Sequence, residues 1–397
     1  MSFSVNKLAP ELVAPAEPTP SGRLPLSFID RNVMLRLFVD LILVFEHGVQ
    51  PAKAVRAALS RALVPLPRRR ADRGADPRLE DVNNLERPLL LPRKDLIPYA
   101  PPDVIEGDLT FMLQVTEFRC GGFAVGIRFN HAVFDGVGAA QVLKAVAEIA
   151  RGHARPVVEP VWCREAIPSP PKPLQRHAAF PAAFHFQTSA FDISSDRINA
   201  VKNQFLRETG QKCSTFDVVT ALLWQCRTRA IRLDPHADLG LGFAANTRHL
   251  LRGLLPEEGF YGNCVYPMEI KANAGTIAAS SLVVLIVLIR DAKDRLSAKF
   301  SECMMGDSAE NPYTVPPGYG TMAVSDWRQV GFFEVNYGWG EPIHVVPLPD
   351  DNNFLASCFY LLPPKPKQGV RLMTRCVEME HLPAFSEEIM KFAADLA

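Results

Sequence analysis

The chain lacks the sequence signatures of several common enzyme sites. Its eight cysteines include no Cys-x-x-Cys pair, so neither a zinc site nor a redox dithiol is indicated. A Gly-x-Ser-x-Gly elbow, a Walker A phosphate loop and a His-Glu-x-x-His helix are also missing. The segment Gly136-Val-Gly138-Ala-Ala-Gln141 lacks the third glycine of a dinucleotide fingerprint. These absences argue against an α/β-hydrolase, a nucleotide hydrolase, a zinc protease and a dinucleotide-dependent dehydrogenase.

Net charge and long apolar runs are lacking as well. Lys plus Arg and Asp plus Glu number 43 each, which removes the electrostatic argument for binding nucleic acid or an anionic membrane. The longest apolar stretch, Leu282 to Ile289, is too short to span a bilayer, and the first residues have no apolar signal-peptide core. We therefore expect a cytoplasmic protein without nucleic-acid or membrane partners.

The length of the chain favours two domains. A chain of 397 residues exceeds what one hydrophobic core usually supports. The run Ile167-Pro-Ser-Pro-Pro-Lys-Pro173 indicates a stiff linker. The predicted division is an N-terminal domain over 1–166, a linker over 167–174 and a C-terminal domain over 175–397. Helical and strand patterns alternate in both halves, which favours an α/β (α+β) architecture.

The clearest local pattern is a β-hairpin followed by a helix. Apolar residues alternate between Thr110 and Phe129 on both sides of a Cys-Gly-Gly turn, and the residues from 138 to 149 have helical spacing. His131 stands at the exit of the second strand, and Asp135 stands at the start of the helix. An imidazole can take and return a proton near neutral pH, so His131 is a candidate general base. Asp135 could orient it, brace its loop or simply cap the helix.

The remaining patterns predict further elements. Helices are expected over Lys53–Leu63, from Ser214 or Thr215 to about Ile231, and over Ser281–Phe300; strands are expected over Leu241–Ala245, Phe332–Tyr337, His344–Pro347 and Phe354–Leu361. The apolar run from Met34 to Phe45 fits either a helix or a strand. Pro65 to Asp76 has no apolar face, and a solvated loop is favoured over a basic patch for an anionic ligand. Asn336-Tyr-Gly-Trp-Gly340 predicts a tight turn, structural or functional.

Two of these motifs together resemble a plant enzyme family. His131-Ala-Val-Phe-Asp135-Gly136 resembles the HXXXD motif of the BAHD acyl-CoA-dependent acyltransferases, and Asn336-Tyr-Gly-Trp-Gly340 resembles their DFGWG motif. Other segments match the family in the same order: Leu26-Ser-Phe-Ile-Asp30, Gln114-Val-Thr-Glu-Phe-Arg-Cys-Gly-Gly-Phe123, Cys213-Ser-Thr-Phe-Asp217, Asn246-Thr-Arg248 and Phe260-Tyr-Gly-Asn263. The resemblance covers nearly the whole chain. It points to the branch that holds alcohol acyltransferases, benzyl alcohol benzoyltransferases and taxane O-acetyltransferases.

The resemblance implies a fold and a reaction. The fold would be two chloramphenicol-acetyltransferase-like domains with a channel between them. A monomer would transfer the acyl group of acyl-CoA, its co-substrate, to a hydroxyl or an amine of a small plant metabolite. His131 would be the general base in a ternary complex, without an acyl-enzyme, a metal or a permanently bound cofactor.

Supporting roles follow from the same resemblance. The residues expected to support the site are Asp135, Gly136, Arg248, Asn336, Gly338, Trp339 and Gly340. Asp135 would brace the loop of His131 by pairing with Arg248, and Trp339 with its glycines would shape the CoA side of the channel from the second domain. Ser214 and Thr215 would contact the pantetheine or a phosphate of CoA, although capping of a helix explains them equally well.

The chain departs from the family pattern in two places. Asn336 and Tyr337 replace the aspartate and phenylalanine of DFGWG, and loss of the carboxylate predicts a less firmly held turn. A block of several dozen residues that follows the first helix in the family is missing around residues 65–78. Losing core strands would leave a sheet edge unpaired. The alternative function is therefore a catalytically impaired or non-catalytic BAHD-like protein.

Overall fold

A computed structural model describes residues 5–7, 13–17, 25–32, 35–63, 71–75, 77–101, 104–171, 184–308, 311–314, 318–348 and 355–394. In chain order the strands are β1 (Val5–Lys7), β2 (Phe38–Phe45), β3 (Ala71–Ala75), β4 (Phe111–Glu117), β5 (Phe123–Asn130), β6 (Phe186–Ser194), β7 (Asp238–Asn246), β8 (Val265–Asn273), β9 (Thr321–Asp326), β10 (His344–Leu348), β11 (Ala356–Leu361) and β12 (Gly369–Glu378). The α-helices are α1 (Pro51–Ala62), α2 (Arg93–Leu96), α3 (Gly136–Ala150), α4 (Ser195–Thr209), α5 (Thr215–Ile231), α6 (Ala274–Ala279), α7 (Leu282–Asp294), α8 (Leu296–Met305) and α9 (Leu382–Ala394). Short 3-10 helices cover Glu80–Leu85, Glu106–Asp108, Arg164–Ala166, Arg248–Leu251 and Phe332–Glu334.

The chain folds into two compact units. The first comprises residues 1–169, 251–264 and 327–350, and the second comprises residues 170–250, 265–326 and 351–397. The first change of unit falls at the proline-rich segment that the sequence marks as a linker. The single boundary expected there does not describe the later segments 251–264 and 327–350. They return to the first unit, where β10 forms an edge strand of the sheet through its pairing with β2.

The sheet of the first unit has six strands in the order β1-β3-β4-β5-β2-β10. The predicted hairpin is confirmed, since β4 and β5 pair antiparallel with Glu117 opposite Phe123. The run that fits either a helix or a strand forms β2, whose residues Leu41 to Phe45 are fully buried. Ile42 and Val44 pack into a core cluster with residues from the segment 79–97. A strand covered on both faces reads as a continuous apolar run, which explains the ambiguity of its sequence.

The loop predicted over Pro65 to Asp76 is wrong for part of that segment. Residues Ala71–Ala75 form β3, which pairs parallel with β4 and antiparallel with β1. Backbone hydrogen bonds to the edge of β4 define this strand, and hydrophobic patterning cannot reveal a strand of that kind. Residues 64–70 and 76 lie outside the described residues.

The second unit holds another six-stranded sheet, in the order β6-β12-β11-β9-β7-β8. The strands predicted near residues 241 and 356 are present in this sheet as β7 and β11, and the strand predicted near residue 344 is β10 of the first unit's sheet. The helix predicted over Ser281–Phe300 is instead two helices, because the Arg295 N–H bonds the Ala292 carbonyl three residues back and tightens the chain there. The strand predicted over Phe332–Tyr337 is also wrong. Phe332, Val335 and Tyr337 are instead buried in a 3-10 turn and a loop that follow Gly331, whose φ is 110°.

Within the described part of the chain, no helix has both the length and the hydropathy needed to cross a bilayer.

Candidate active site

His131 follows the last residue of β5 and is held by its backbone at both ends. Its N–H donates to the Leu37 carbonyl at 2.9 Å, and its carbonyl accepts from the Asn263 side-chain amide at 2.8 Å. The side chain is half-buried. The ring nitrogen Nδ1 is enclosed, without a hydrogen bond to a described residue.

Asp135 performs the capping role that the sequence left as one of three possibilities. Its Oδ1 accepts from the Gly138 N–H at 2.9 Å and caps α3. Its Oδ2 accepts from the Cys264 N–H at 3.1 Å. The buried carboxylate therefore joins the start of α3 to the segment that carries Asn263, and both lie beside His131 in the first unit.

A buried polar network lies behind the histidine. Asp30 Oδ1 accepts from Asn263 Nδ2 at 2.8 Å, and Asp30 Oδ2 accepts from Arg164 Nε at 2.9 Å. Ser27 donates to Asp30 Oδ2 from its N–H at 3.0 Å and from its hydroxyl at 2.8 Å. Arg164 also donates to the Val133 carbonyl. Because buried polar groups require partners, this network fixes the backbone on both sides of the imidazole.

The surroundings of His131 favour its neutral form. Burial lowers the pKa of His131 from its ordinary value of 6.5, against the opposing effects of its own backbone, Asp135, Asn263 and Asp30. Desolvation penalises the charged imidazolium, whereas the two carboxylates stabilise it. A neutral imidazole can accept a proton from a bound hydroxyl or amine on its unprotonated nitrogen.

The segment Asn336–Gly340 forms the predicted tight turn. Asn336 Oδ1 accepts from the N–H groups of Gly338 at 2.8 Å and Gly340 at 3.2 Å. Both glycines have left-handed backbones, with φ of 108° and 100°, which other residues rarely adopt. Arg151, just after α3, donates to the Asn336 carbonyl. The asparagine thus holds the turn with its amide oxygen, where the family motif has a carboxylate.

The position of this turn corrects one expectation. The sequence places Trp339 in the second domain, but the structure places it in the first unit with His131. Its half-buried ring packs edge-on against Phe123, with the ring centres 5.7 Å apart. The neighbouring Tyr337 is buried, and no described residue bonds its hydroxyl. The turn returns to the first unit because the strand that follows it, β10, pairs with β2.

Ser214 and Thr215 lie at the start of α5 in the second unit. Ser214 is its N-cap, since Ser214 Oγ accepts from the Asp217 N–H at 3.1 Å and Asp217 Oδ2 accepts from the Ser214 N–H at 2.7 Å. Thr215 Oγ1 accepts from Lys202 Nζ at 2.8 Å. Arg248 is half-buried in the same unit, and its pairing with Asp135 stays a prediction.

Comparison with known proteins identifies the family. The sequence model described as "Transferase: Transferase family" matches residues 74–391. Myricetin 3-O-glucosyl 1,2-rhamnoside 6'-O-caffeoyltransferase AT2 of Crocosmia x crocosmiiflora is 42% identical over 99% of this chain and 100% of its own length. The chain belongs to the BAHD acyltransferases. It is an acyl-CoA-dependent acyltransferase of plant metabolites, as the resemblance predicts.

Other comparisons agree with this membership. The 3'-N-debenzoyl-2'-deoxytaxol N-benzoyltransferase of Taxus canadensis is 34% identical over 96% of this BAHD chain and 95% of its own length. The crystal structure of F. graminearum TRI101 complexed with coenzyme A and deoxynivalenol has a TM-score of 0.73, at 16% identity over 94% of this chain and 99% of that one. At that identity the likeness concerns the fold alone. It confirms the predicted chloramphenicol-acetyltransferase-like fold of two domains.

The alignment with the Crocosmia relative also bears on the length of this BAHD chain. It runs over 438 residues, whereas the chain has 397. The relative therefore carries several dozen residues that this chain lacks.

Three residues of the buried network had no assigned role in the sequence. Asp30 and Asn263 lie in segments that match the family. The match singles out these two positions in the sequence but gives neither residue a role. Arg164 stood out in no pattern. A single arginine between a cysteine and a glutamate is ordinary in sequence, and only the fold shows that it lies behind His131.

Proposed function

We propose that this enzyme transfers an acyl group from acyl-CoA to a hydroxyl or an amine of a small plant metabolite, with His131 as general base. The observation that carries the proposal is the presentation of His131. Its backbone is fixed at both the N–H and the carbonyl, and its Nδ1 is enclosed, which leaves Nε2 as the nitrogen that would meet the substrate. A base held in this way meets the geometric demand of proton transfer. We also propose that the enzyme is a monomer and acts in the cytoplasm.

The reaction needs one proton acceptor and no covalent enzyme intermediate. Nε2 takes the proton of the acceptor hydroxyl or amine as its oxygen or nitrogen bonds to the thioester carbon. The carbonyl oxygen becomes an oxyanion in a tetrahedral intermediate. The carbon–sulfur bond then breaks, and the imidazolium returns its proton to the departing thiolate, giving free CoA and the ester or amide. Positioned general-base catalysis of this kind contributes about 10²- to 10⁴-fold to the rate.

Asn263 is suited to hold the tautomer that this step requires. Its Nδ2 is engaged by Asp30 and by the His131 carbonyl, which leaves Oδ1 buried and without a hydrogen bond to a described residue. Nδ1 of His131 is enclosed in the same way. We infer that Asn263 Oδ1 accepts from Nδ1–H during the reaction. A proton on Nδ1 leaves the lone pair on Nε2, where the substrate meets it.

The other predicted residues have supporting roles in this proposal. Asp135 and Gly136 fix the start of α3, with Arg248 as the expected partner of Asp135, and the turn Asn336–Gly340 shapes the CoA side. At the start of α5, Ser214 fixes the helix, while Thr215 with Lys202 contacts CoA. A lysine within 2.8 Å of the Thr215 hydroxyl, beside a helix N-terminus, suits a phosphate or a pantetheine carbonyl.

The donor and acceptor are best tested with compounds that the names of the relatives and the family resemblance suggest. Caffeoyl-CoA, benzoyl-CoA and acetyl-CoA would each be incubated with the purified chain and with a myricetin diglycoside or benzyl alcohol, while free CoA thiol is measured. We expect release of CoA that depends on the acceptor. His131→Ala should reduce the rate by about 100-fold or more, with an unchanged circular dichroism spectrum. Near-full activity of that variant would exclude His131 as the base.

The pH dependence of the rate gives a second test. Only the neutral imidazole accepts a proton, so the rate falls as the pH drops through the pKa of His131. Because burial lowers that pKa, the acid limb of kcat/KM should have its midpoint below pH 6.5. A midpoint above pH 6.5 would contradict this prediction, because it would mean that the carboxylates raise the pKa of His131 by more than desolvation lowers it.

A non-catalytic BAHD-like protein is the second candidate. The several dozen residues present in the Crocosmia relative and lacking here favour it. In that case calorimetry would detect CoA binding, or a failure to fold, while no donor and acceptor pair releases CoA. Robust acceptor-dependent release would exclude this candidate.

A further inference from the structure

Arg164 forms a buried ion pair that the proposed chemistry does not itself use. Its Nε lies 2.9 Å from Asp30 Oδ2, and both side chains are 0% exposed. Moving two charges out of water is costly, and such a pair is often no more stabilising than apolar residues of the same volume. A pair kept at that cost beside an active-site loop calls for a role other than stability.

Arg164 reaches the loop of His131 by two routes. Through Asp30 it contacts Asn263, whose Nδ2 donates both to Asp30 Oδ1 at 2.8 Å and to the His131 carbonyl at 2.8 Å. Directly, it donates to the carbonyl of Val133, two residues beyond the histidine. The first route holds the histidine itself, and the second holds the turn that leads from it to α3.

The guanidinium is fixed by aromatic rings as well as by hydrogen bonds. Its Cζ lies 3.7 Å from the centre of the Trp162 ring and 4.8 Å from that of Tyr261. A planar fork can stack on a ring while its edge donates to Asp30 and Val133 in two directions. The single ammonium of a lysine cannot make the same set of contacts.

We propose that Arg164 is a positioning residue for the acyl transfer: it holds the loop of His131 through Asp30, Asn263 and the Val133 carbonyl, and its charge offsets that of Asp30 near the imidazole. The inference rests on the proposed role of His131 as general base. Arg164 thus affects the rate of the reaction as well as the stability of the first unit.

The charges near His131 make this role measurable. Asp135 and Asp30 both act to raise the pKa of His131. Without the cation, the Ser27 N–H and hydroxyl and the Asn263 N–H and amide still donate to the Asp30 carboxylate and hold it in place. Its field at the imidazole then acts without the offsetting positive charge, so the pKa of His131 rises.

The experiment compares Arg164→Gln with Arg227→Gln in the full chain. Arg227 is also buried, but it lies in the second unit and donates to the carbonyls of Cys376 and Tyr319. The titration of His131 is followed by NMR of the histidine ring signals and assigned by the signal that His131→Ala removes. We expect a rise of roughly 0.5 to 1 pH unit in Arg164→Gln and no change in Arg227→Gln.

Kinetics at pH 7 give the second readout. We expect kcat of Arg164→Gln to fall about 10- to 100-fold, while KM for acyl-CoA stays within about twofold because no CoA contact is altered. Arg164→Lys keeps the buried charge and serves if the glutamine variant does not fold. Its His131 should titrate near the wild-type pH, with kcat still reduced about tenfold because one set of contacts is lost.

A purely structural role predicts a different result. Neither Arg164 variant would then shift the titration of His131, and kcat would fall no further than in Arg227→Gln; that outcome overturns the inference. Absence of CoA release from the wild-type chain would count against the proposed function alone, since the NMR titration needs no turnover.

Discussion

Helices α3 and α5, one in each unit, begin in the same way but use their first turns differently. Asp135 caps α3 by accepting from the Gly138 N–H, and Ser214 caps α5 by accepting from the Asp217 N–H. In α5 the third residue closes the cap on itself, because Asp217 accepts in return from the Ser214 N–H at 2.7 Å. In α3 the third residue is a glycine and cannot do so.

The two helix starts differ because another segment of the backbone packs closely against the first turn of α3. A Cβ on Gly138 would lie 2.0 Å from the carbonyl oxygen of Tyr261, so a side chain has no room there. The second oxygen of Asp135 instead accepts from the Cys264 N–H. A closed cap stabilises its own helix, whereas this open cap also attaches a distant segment. That segment carries Asn263, which holds the His131 carbonyl.

Gly138→Ala should have the largest effect of these substitutions on the start of α3. The new methyl group must displace the Tyr261 backbone, and overpacking against fixed backbone costs about 3 kcal/mol of unfolding free energy. Because that shift moves Asn263, we also expect loss of CoA release. The measurement is urea unfolding together with the CoA assay. Gly136→Ala is the matched control, since its Cβ would meet only Val330 at 3.6 Å and should change stability by less than about 1 kcal/mol.

Asp135→Asn should have the next largest effect. Gly138 and Cys264 donate to different oxygens of Asp135, and asparagine replaces one of these oxygens with an NH2 group that cannot accept, so one of the two bonds is lost. The remaining bond also loses the charge that strengthens it. We expect a loss of about 2 kcal/mol in the free energy of unfolding. Asp196→Asn, an exposed acid in the first turn of α4, provides the control and should change stability by less than about 0.5 kcal/mol. Equal costs at the two positions would mean that the open cap holds nothing beyond its helix.

These two helix starts also show how far the sequence could be read. The hairpin before His131 and the helices after Asp135 and Ser214 were predictable, because period, turn residues and caps act over a few neighbouring positions. The attachment of Cys264 to Asp135, the buried Arg164 and the return of Asn336–Gly340 to the first unit were not. Each joins residues that are far apart in the chain, and no local pattern records such a contact. The strand β3 was not predicted for a related reason, since backbone pairing rather than a pattern of apolar residues defines it.

Ser214→Ala tests the closed cap with a smaller effect. Loss of one N-cap hydroxyl typically costs about 1 kcal/mol, and Asp217 can still accept from the backbone at position 214. If the hydroxyl serves only the helix, KM for acyl-CoA stays within about twofold while the unfolding midpoint falls. A rise of tenfold or more in KM without a matching loss of stability would instead make Ser214 a direct CoA contact. Thr215→Val, which removes the hydroxyl bonded to Lys202, is the variant expected to raise KM.

Lys293→Ala should have the smallest effect. It tests the carboxylate oxygen of Asp217 that does not take part in the cap, for comparison with the corresponding oxygen of Asp135. Asp217 Oδ1 accepts from Lys293 Nζ at 2.8 Å, where Asp135 Oδ2 binds a buried backbone N–H. The lysine side chain is 38% exposed, so water and salt screen this pair. Such pairs contribute about 0 to 1 kcal/mol, and we expect the loss to shrink further in 1 M salt when urea unfolding is measured. A loss above about 2 kcal/mol that salt does not reduce would show that α5, like α3, depends on what its cap attaches.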